Sequence, residues 1–94
     1  MSKQICKFPL YTHEVQTLEM PAEAEVLTVQ VQNGSPFLFA LVDNHLPKVS
    51  YEIHSFGTGA IIPDNLKLTY LGTYSITRGE LVFHCFLSQP ATTL

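Results

Sequence analysis

The chain of 94 residues is poor in charge and in long apolar runs, and it contains no tryptophan. Charged residues make up 14% of it, against roughly a quarter in an average domain. Its five basic residues are scattered, so they form no cluster that would neutralise adjacent phosphates, and we do not expect direct nucleic-acid binding. No apolar run reaches the roughly 18–20 residues that span a bilayer, so we expect no membrane contact.

Cysteine is also scarce, with Cys6 and Cys85 near opposite ends of the chain. No secretory signal is evident at the start of the sequence, which predicts a cytoplasmic protein with reduced thiols. We therefore expect two buried thiols and no disulfide between them.

What the sequence does contain is a pair of strand-like runs around a tight turn. Residues 26–32 alternate in polarity, and residues 37–42 are apolar on both faces. Between them lies Asn33-Gly34, and both residues tolerate the positive φ angles that a two-residue hairpin turn requires. The region 26–42 thus predicts a β-hairpin with one strand covered on one face and one covered on both.

Further short runs of the same kind follow at spacings near ten residues, and no window shows the helical period. They predict an all-β fold, either a compact antiparallel β-sandwich or a small barrel of about seven short strands. At most one short helical turn is expected, near 63–68. We interpret residues 1–87 as a single β domain and 88–94 as a flexible tail. Alternation places Leu27, Val29 and Val31 on one face of the third strand, Val49, Tyr51 and Ile53 on the inner face of the fifth, and Tyr70, Tyr74 and Ile76 on one face of the sixth, where Gly72 indicates a bulge or a close approach. The predicted strands are 5–10, 15–20, 26–32, 37–42, 49–55, 70–76 and 81–87.

The sequence offers no catalytic or metal-binding constellation. Its four histidines lack the spacings of local chelation, so we predict no metal and no cofactor. Neighbouring His84 and Cys85 point to opposite faces of a strand and do not form a nucleophile pair. The Gly57-Thr58-Gly59 segment lacks the lysine and helix start of a phosphate loop and is typical of a turn.

Two runs, 37–42 and 81–87, are apolar on both faces and should be central strands. The second face of each strand must be covered, and two alternatives remain. The cover is either the connection 60–69, with Leu66 and Leu68 pointing inward, or a second protein. An uncovered apolar face would mark an interaction surface. The candidates for partner binding are Phe37, Phe39, Gln30, Gln32, Glu52, His54 and Phe86.

Several segments follow one another in the order and spacing of a known family. The chain resembles a family of small uncharacterised proteins of bacteriophages and prophages across roughly residues 5–87. Phe39 departs from that family, which more often has Trp there. The resemblance implies a phage setting in a bacterial host cell and carries no activity or catalytic residue with it. The segments that carry it are KFPL at 7–10, LTVQVQNG at 27–34, LFALVD at 38–43, GTG at 57–59, YLGT at 70–73 and LVFHCF at 81–86.

These observations favour a non-enzymatic binding module. We expect a phage-encoded accessory protein that binds a bacterial host protein, in its sharpest form an anti-CRISPR-like inhibitor of host immunity that acts by steric block. A structural or self-assembling virion or prophage protein, such as a homodimer, is the alternative. A small ligand-binding barrel or enzyme is the second alternative.

Overall fold

The computed structural model describes residues 2–12 and 14–88, and seven β-strands make up most of them. Every strand predicted from the sequence is present, so the all-β prediction is confirmed. The tail predicted for 88–94 lies outside the described residues except for Ser88, which ends the last strand. The strands are β1 Gln4–Pro9, β2 Val15–Pro21, β3 Glu25–Gln32, β4 Ser35–Val42, β5 Lys48–Gly57, β6 Leu68–Ile76 and β7 Leu81–Ser88.

The strands form two antiparallel sheets. One has three strands in the order β1-β4-β3, and the other has four in the order β2-β5-β7-β6. The two strands that are apolar on both faces, β4 and β7, have a neighbour on each side, as the sequence predicts. The molecule measures 41 × 35 × 15 Å, and its short dimension suits two sheets packed about 10 Å apart.

The hairpin turn between β3 and β4 has the predicted geometry. Asn33 and Gly34 have φ angles of 51° and 80°, so both central residues adopt positive φ as a type I′ turn requires. The turn places Gln32 opposite Ser35, which sets the register of β3 against β4.

Alternate residues of both sheets meet in one core. From β4 the side chains of Leu38, Ala40 and Val42 are buried, and from the other sheet Ile53 and Cys85 are buried against them. Both cysteine thiols are free, Cys85 buried and Cys6 half-buried. The inner face of β5 carries Ile53 and Tyr51 as the alternation predicts, whereas Val49, also expected to face inward, is 41% exposed near the start of the strand.

Two β-bulges change the faces that alternation predicts for β3 and β6. The register shifts between Val26 and Thr28, so Val26 packs against the core and Leu27, expected beside Val29 and Val31, is 45% exposed. On β6 the register shifts between Tyr70 and Gly72, where the sequence suggested a bulge. A bulge adds one residue and reverses the alternation beyond it. Tyr70 therefore shares a face with Thr73 and not, as we expected, with Tyr74.

Beside these bulges, β3 and β6 bring the two sheets into direct contact. Gly72 has a φ of 156°, and a Cβ built on it would lie 2.6 Å from Cγ2 of Val29 and 3.5 Å from its backbone nitrogen. Only a residue without a side chain fits between β6 and Val29. The glycine thus allows the approach that buries Val29.

The connection between β5 and β6 is irregular and mostly exposed. At 64–65 the chain forms a turn, in which the Leu66 amide donates to the Pro63 carbonyl at 3.4 Å. The turn lies in the region 63–68, where we expected at most one short helical turn. Leu66 is half-buried, and Ile61 is 91% exposed. The connection lies beside the four-strand sheet and leaves the second face of β4 uncovered.

The substitution Gly72→Ala should lower the free energy of unfolding by about 2–4 kcal/mol, because the new methyl group clashes with Val29 in a backbone conformation that alanine rarely adopts. Urea denaturation measures this. Gly57→Ala is the matched control, since its Cβ would meet only the Val82 carbonyl oxygen, at 4.0 Å. Val29→Ala should cost less in the Gly72→Ala background than alone. Equal stability of the two glycine variants would contradict the close packing.

Because of Tyr74, we expect the free energy of unfolding to fall at alkaline pH. Among the residues that the structure describes, its buried hydroxyl has no hydrogen-bond partner, and burial, with a smaller contribution from Cys85, raises its pKa to about 12. Burial also raises the pKa of the Cys85 thiol, which a hydrogen bond to Ser55 partly opposes. Both groups hold their protons more tightly in the folded than in the unfolded state. Stability is therefore complete below their ordinary pKa values and falls as the pH rises towards about 12.

Tyr74→Phe should stabilise the protein at neutral pH by about 1 kcal/mol, because it removes a buried hydroxyl that forms no hydrogen bond within the described part of the chain. It should also flatten the alkaline loss. Urea denaturation of both proteins over a pH series measures the two effects. The same pH dependence in the variant and the wild type would show that another group causes it.

Candidate functional site

The outer face of the three-strand sheet carries an apolar patch. Residues that face each other across antiparallel strands share a face, and Phe39 of β4 lies opposite Lys7 on β1 and Thr28 on β3. The inner residues of β4 are buried, whereas the outer ones are only half-buried. Ile5 at the end of the patch is 63% exposed. We call this patch the three-strand outer face; its residues are Ile5, Lys7, Pro9, Glu25, Thr28, Gln30, Gln32, Phe37, Phe39 and Leu41.

This face carries two charged residues, Glu25 opposite Leu41 and Lys7 opposite Phe39. Nζ of Lys7 donates a hydrogen bond to Oε1 of Gln32 at 2.8 Å and lies 4.5 Å from the centre of the Phe37 ring. The side chain thus extends from β1 across β4 towards β3. An ammonium over an aromatic ring is favourable by about 0.5–1 kcal/mol at an exposed site. No carboxylate pairs with it among residues 2–12 and 14–88.

The structure brings four of the predicted partner-binding residues together on this face: Gln30, Gln32, Phe37 and Phe39. Six further residues belong to the same surface and were missed: Ile5, Lys7, Pro9, Glu25, Thr28 and Leu41. Alternation along β1 separates Ile5 and Lys7 from Cys6 and Phe8, but nothing local in the sequence indicates that β1 pairs with β4.

The other three predicted residues, Glu52, His54 and Phe86, lie on the outer face of the four-strand sheet. His54 is only 7% exposed, because it stacks on Phe56 with ring centres 6.0 Å apart. Its Nε2 lies 3.0 Å from Oε1 of Glu52. His54 therefore offers little surface to a partner and is not part of the interface proposed below.

Beside these residues the connection after β5 forms a pocket against the sheet. We call it the loop pocket; its volume is about 430 Å³. Its walls are the rings of Phe56, Tyr70 and Phe86 with Ile62 from the connection. Small residues complete the connection's side, and the polar lining groups are those of Thr58, Thr73 and His84.

A chain of hydrogen bonds runs along the pocket. Nε2 of His84 lies 2.8 Å from Oγ1 of Thr58, and Nδ1 lies 3.0 Å from Oγ1 of Thr73. Oγ1 of Thr73 is in turn 2.5 Å from the hydroxyl of Tyr70. His84 thus ties the connection, through Thr58, to β6, through Thr73. The sequence could not indicate this chain, because its members come from three separated segments.

His84 and Cys85 do not form a nucleophile pair. His84 faces outward on β7 and Cys85 faces inward, so the imidazole and the thiol lie on opposite sides of the sheet, as predicted for strand neighbours. Cys6 lies in the other sheet. Within the part of the chain that the structure describes, no three His, Cys, Asp or Glu side chains come together to hold a metal ion.

The fold and these surfaces define a class: a small protein of two antiparallel sheets, with an apolar outer face on one sheet and a pocket on the other. None of the described residues forms a helix of the length and hydrophobicity that crossing a membrane requires. A family model, a domain of unknown function (DUF7352), matches residues 1–93, and the chain belongs to that family. No curated protein and no solved structure matches the chain.

Thr58→Val should loosen the connection after β5, because it removes the hydroxyl that binds His84 and keeps the shape of the side chain. Loss of one hydrogen bond of about 1 kcal/mol corresponds to about fivefold more frequent local opening. Amide exchange at Ala60, whose N–H donates to the Gly57 carbonyl at 3.0 Å, measures it. Thr17→Val on the exposed face of β2 should leave this rate unchanged. An unchanged rate in Thr58→Val would mean that the Thr58–His84 bond does not hold the connection.

Proposed function

We propose that this protein is a binding protein that attaches to a bacterial host protein through the three-strand outer face and acts by covering part of that protein's surface. The observation that carries the proposal is the apolar patch around Phe37, Phe39 and Leu41, which no other segment of the described chain covers. Contiguous apolar surface of this kind is typical of protein interaction sites.

The chemistry of the patch describes the partner surface. Aromatic residues at the centre with glutamines at one side resemble the composition of interface cores, which are rich in aromatic residues and poor in charge. Lys7, which no carboxylate of the described chain neutralises, favours a partner with an acidic group opposite it. We therefore expect an apolar patch bordered by a carboxylate on the bound protein.

The setting of this proposal comes from the resemblance to phage and prophage proteins. A phage protein of this size that blocks a host protein would work in the cytoplasm of the bacterial cell. An anti-CRISPR-like inhibitor of host immunity is its sharpest form, because steric blocking requires a binding surface and no catalytic group.

Phe39→Glu should abolish capture of the partner from a bacterial lysate, because it places a buried carboxylate at the centre of the contact. Ser75→Glu adds the same charge to an exposed position on the other sheet and should retain the partner. Gln30→Arg provides a second test at an exposed position, should Phe39→Glu prove unstable. A protein captured equally by all three variants would contradict binding through this face.

Lys7→Met should weaken binding about five- to tenfold and reduce its dependence on salt, because it removes the charge and keeps most of the apolar stem. Titration of the purified partner at low and high salt measures both. Unchanged affinity and salt dependence would contradict the proposal that the partner carries a carboxylate opposite Lys7.

A self-assembling role makes a different prediction for the same face. Light scattering on the purified protein would then give a dimer or larger assembly that Phe39→Glu converts to a monomer. A wild-type monomer together with a partner that depends on Phe39 supports the host-protein proposal.

A further inference from the structure

We propose that the loop pocket binds an uncharged, planar aromatic small molecule that carries a hydrogen-bond acceptor. This site lies on the four-strand sheet, whereas the proposed protein interface lies on the three-strand sheet, so the inference does not depend on the proposed function. It rests on the size of the pocket, the rings in its walls, the lack of charge in its lining and the hydrogen count of its polar groups.

The size of the pocket suits a small ligand. Its volume of about 430 Å³ lies at the smaller end of the range of about 300–1,000 Å³ that ligand pockets occupy. A molecule of one or two rings fits that space. Ile62 and Tyr70 remain 38% and 58% exposed, so a bound ring would remove apolar surface from water.

Three aromatic rings form the apolar walls. Phe86 makes edge-to-face contacts with Phe56, at 5.9 Å between ring centres, and with Tyr70, at 5.5 Å. The two contacts fix Phe86 between its neighbours on β5 and β6. Fixed rings offer both faces and edges to another aromatic ring, and such contacts favour aromatic over saturated ligands of equal area.

The lining contains no Lys, Arg, Asp or Glu side chain. A charged ligand would lose hydration on entering the pocket without meeting an opposite charge. The pocket therefore favours a neutral molecule.

The hydrogen-bond chain specifies the polar group of the ligand. Three hydroxyls and a neutral imidazole supply four hydrogens in all, and the chain uses only three of them, one for each of its bonds. When Nε2 of His84 carries the hydrogen, the O–H of Thr58 is left over. When Nδ1 carries it, the hydrogen left over belongs to the Tyr70–Thr73 pair. In either tautomer one O–H remains to donate, so the ligand needs an acceptor such as a hydroxyl or carbonyl oxygen.

Phenol is the simplest probe with these properties, and a two-dimensional NMR titration of the full chain locates its binding. Phenol should shift amide signals of the connection 57–62 and of the strand residues around His84. Cyclohexanol, which keeps the hydroxyl and lacks the aromatic ring, should bind about fivefold more weakly. Benzoate should bind at least about tenfold more weakly because it carries a charge. Shifts scattered over the surface, or equal binding of the three probes, would overturn the proposal.

Substitutions separate the pocket from other surfaces. Phe86→Leu should weaken phenol binding about fivefold, because it replaces a ring of the wall with an aliphatic side chain, and Ala60→Leu should abolish binding by filling the space. Thr17→Val, on the same sheet but outside the pocket, and Phe39→Glu, on the other sheet, should bind phenol as the wild type does. Wild-type affinity in both Phe86→Leu and Ala60→Leu would show that phenol binds elsewhere.

Discussion

The structure depends on one close approach between its two sheets, that of Gly72 on β6 to Val29 on β3. A residue with a side chain at position 72 would meet Val29 at 2.6 Å, well inside ordinary contact distance. Each strand carries a bulge next to this point, and bulges increase the local twist that lets two sheets cross closely. Tyr74, which lies two residues further along β6, and Val29 are buried in the core that the approach closes.

Because the core is filled by alternate residues, the apolar side chains on the other faces of β4 and β7 have to point outward. The surroundings of these outward-pointing side chains differ between the two sheets. On β7, Phe86 lies between Phe56 and Tyr70 beside the connection that Thr58 ties to His84. On β4, Nζ of Lys7 lies over the Phe37 ring, and Phe37 and Phe39 are half-buried on the outer face. One sheet thus has a pocket on its outer side, and the other has an open patch.

Much of the fold could be predicted from local sequence. The hairpin at Asn33-Gly34 follows from the backbone angles of those residues, and the central positions of β4 and β7 follow from apolar side chains on both faces. The order of the strands could not be predicted, since β1 pairs with β4 and β2 with β5 across long stretches of chain. The exposure of Leu27 was also missed, because alternation assumes a strand without a bulge.

The part of the candidate site that lies on one hairpin could also be predicted from local sequence. Gln30, Gln32, Phe37 and Phe39 share a face because one hairpin holds them, and the sequence identified that hairpin. Lys7 joins them only through the pairing of β1 with β4. The chain from Thr58 through His84 to Thr73 needs a connection and two strands in place at once, and no spacing in the sequence indicates it.

The strand order β2-β5-β7-β6 also constrains how the protein is made. On the ribosome β2 emerges early, yet its partner β5 appears only after the three-strand sheet has been synthesised. Of the seven described strands β7 emerges last, and it lies in the interior of the four-strand sheet, where it pairs with both β5 and β6. Until β7 leaves the exit tunnel, the nascent chain holds one complete sheet whose inner side has no finished layer to pack against.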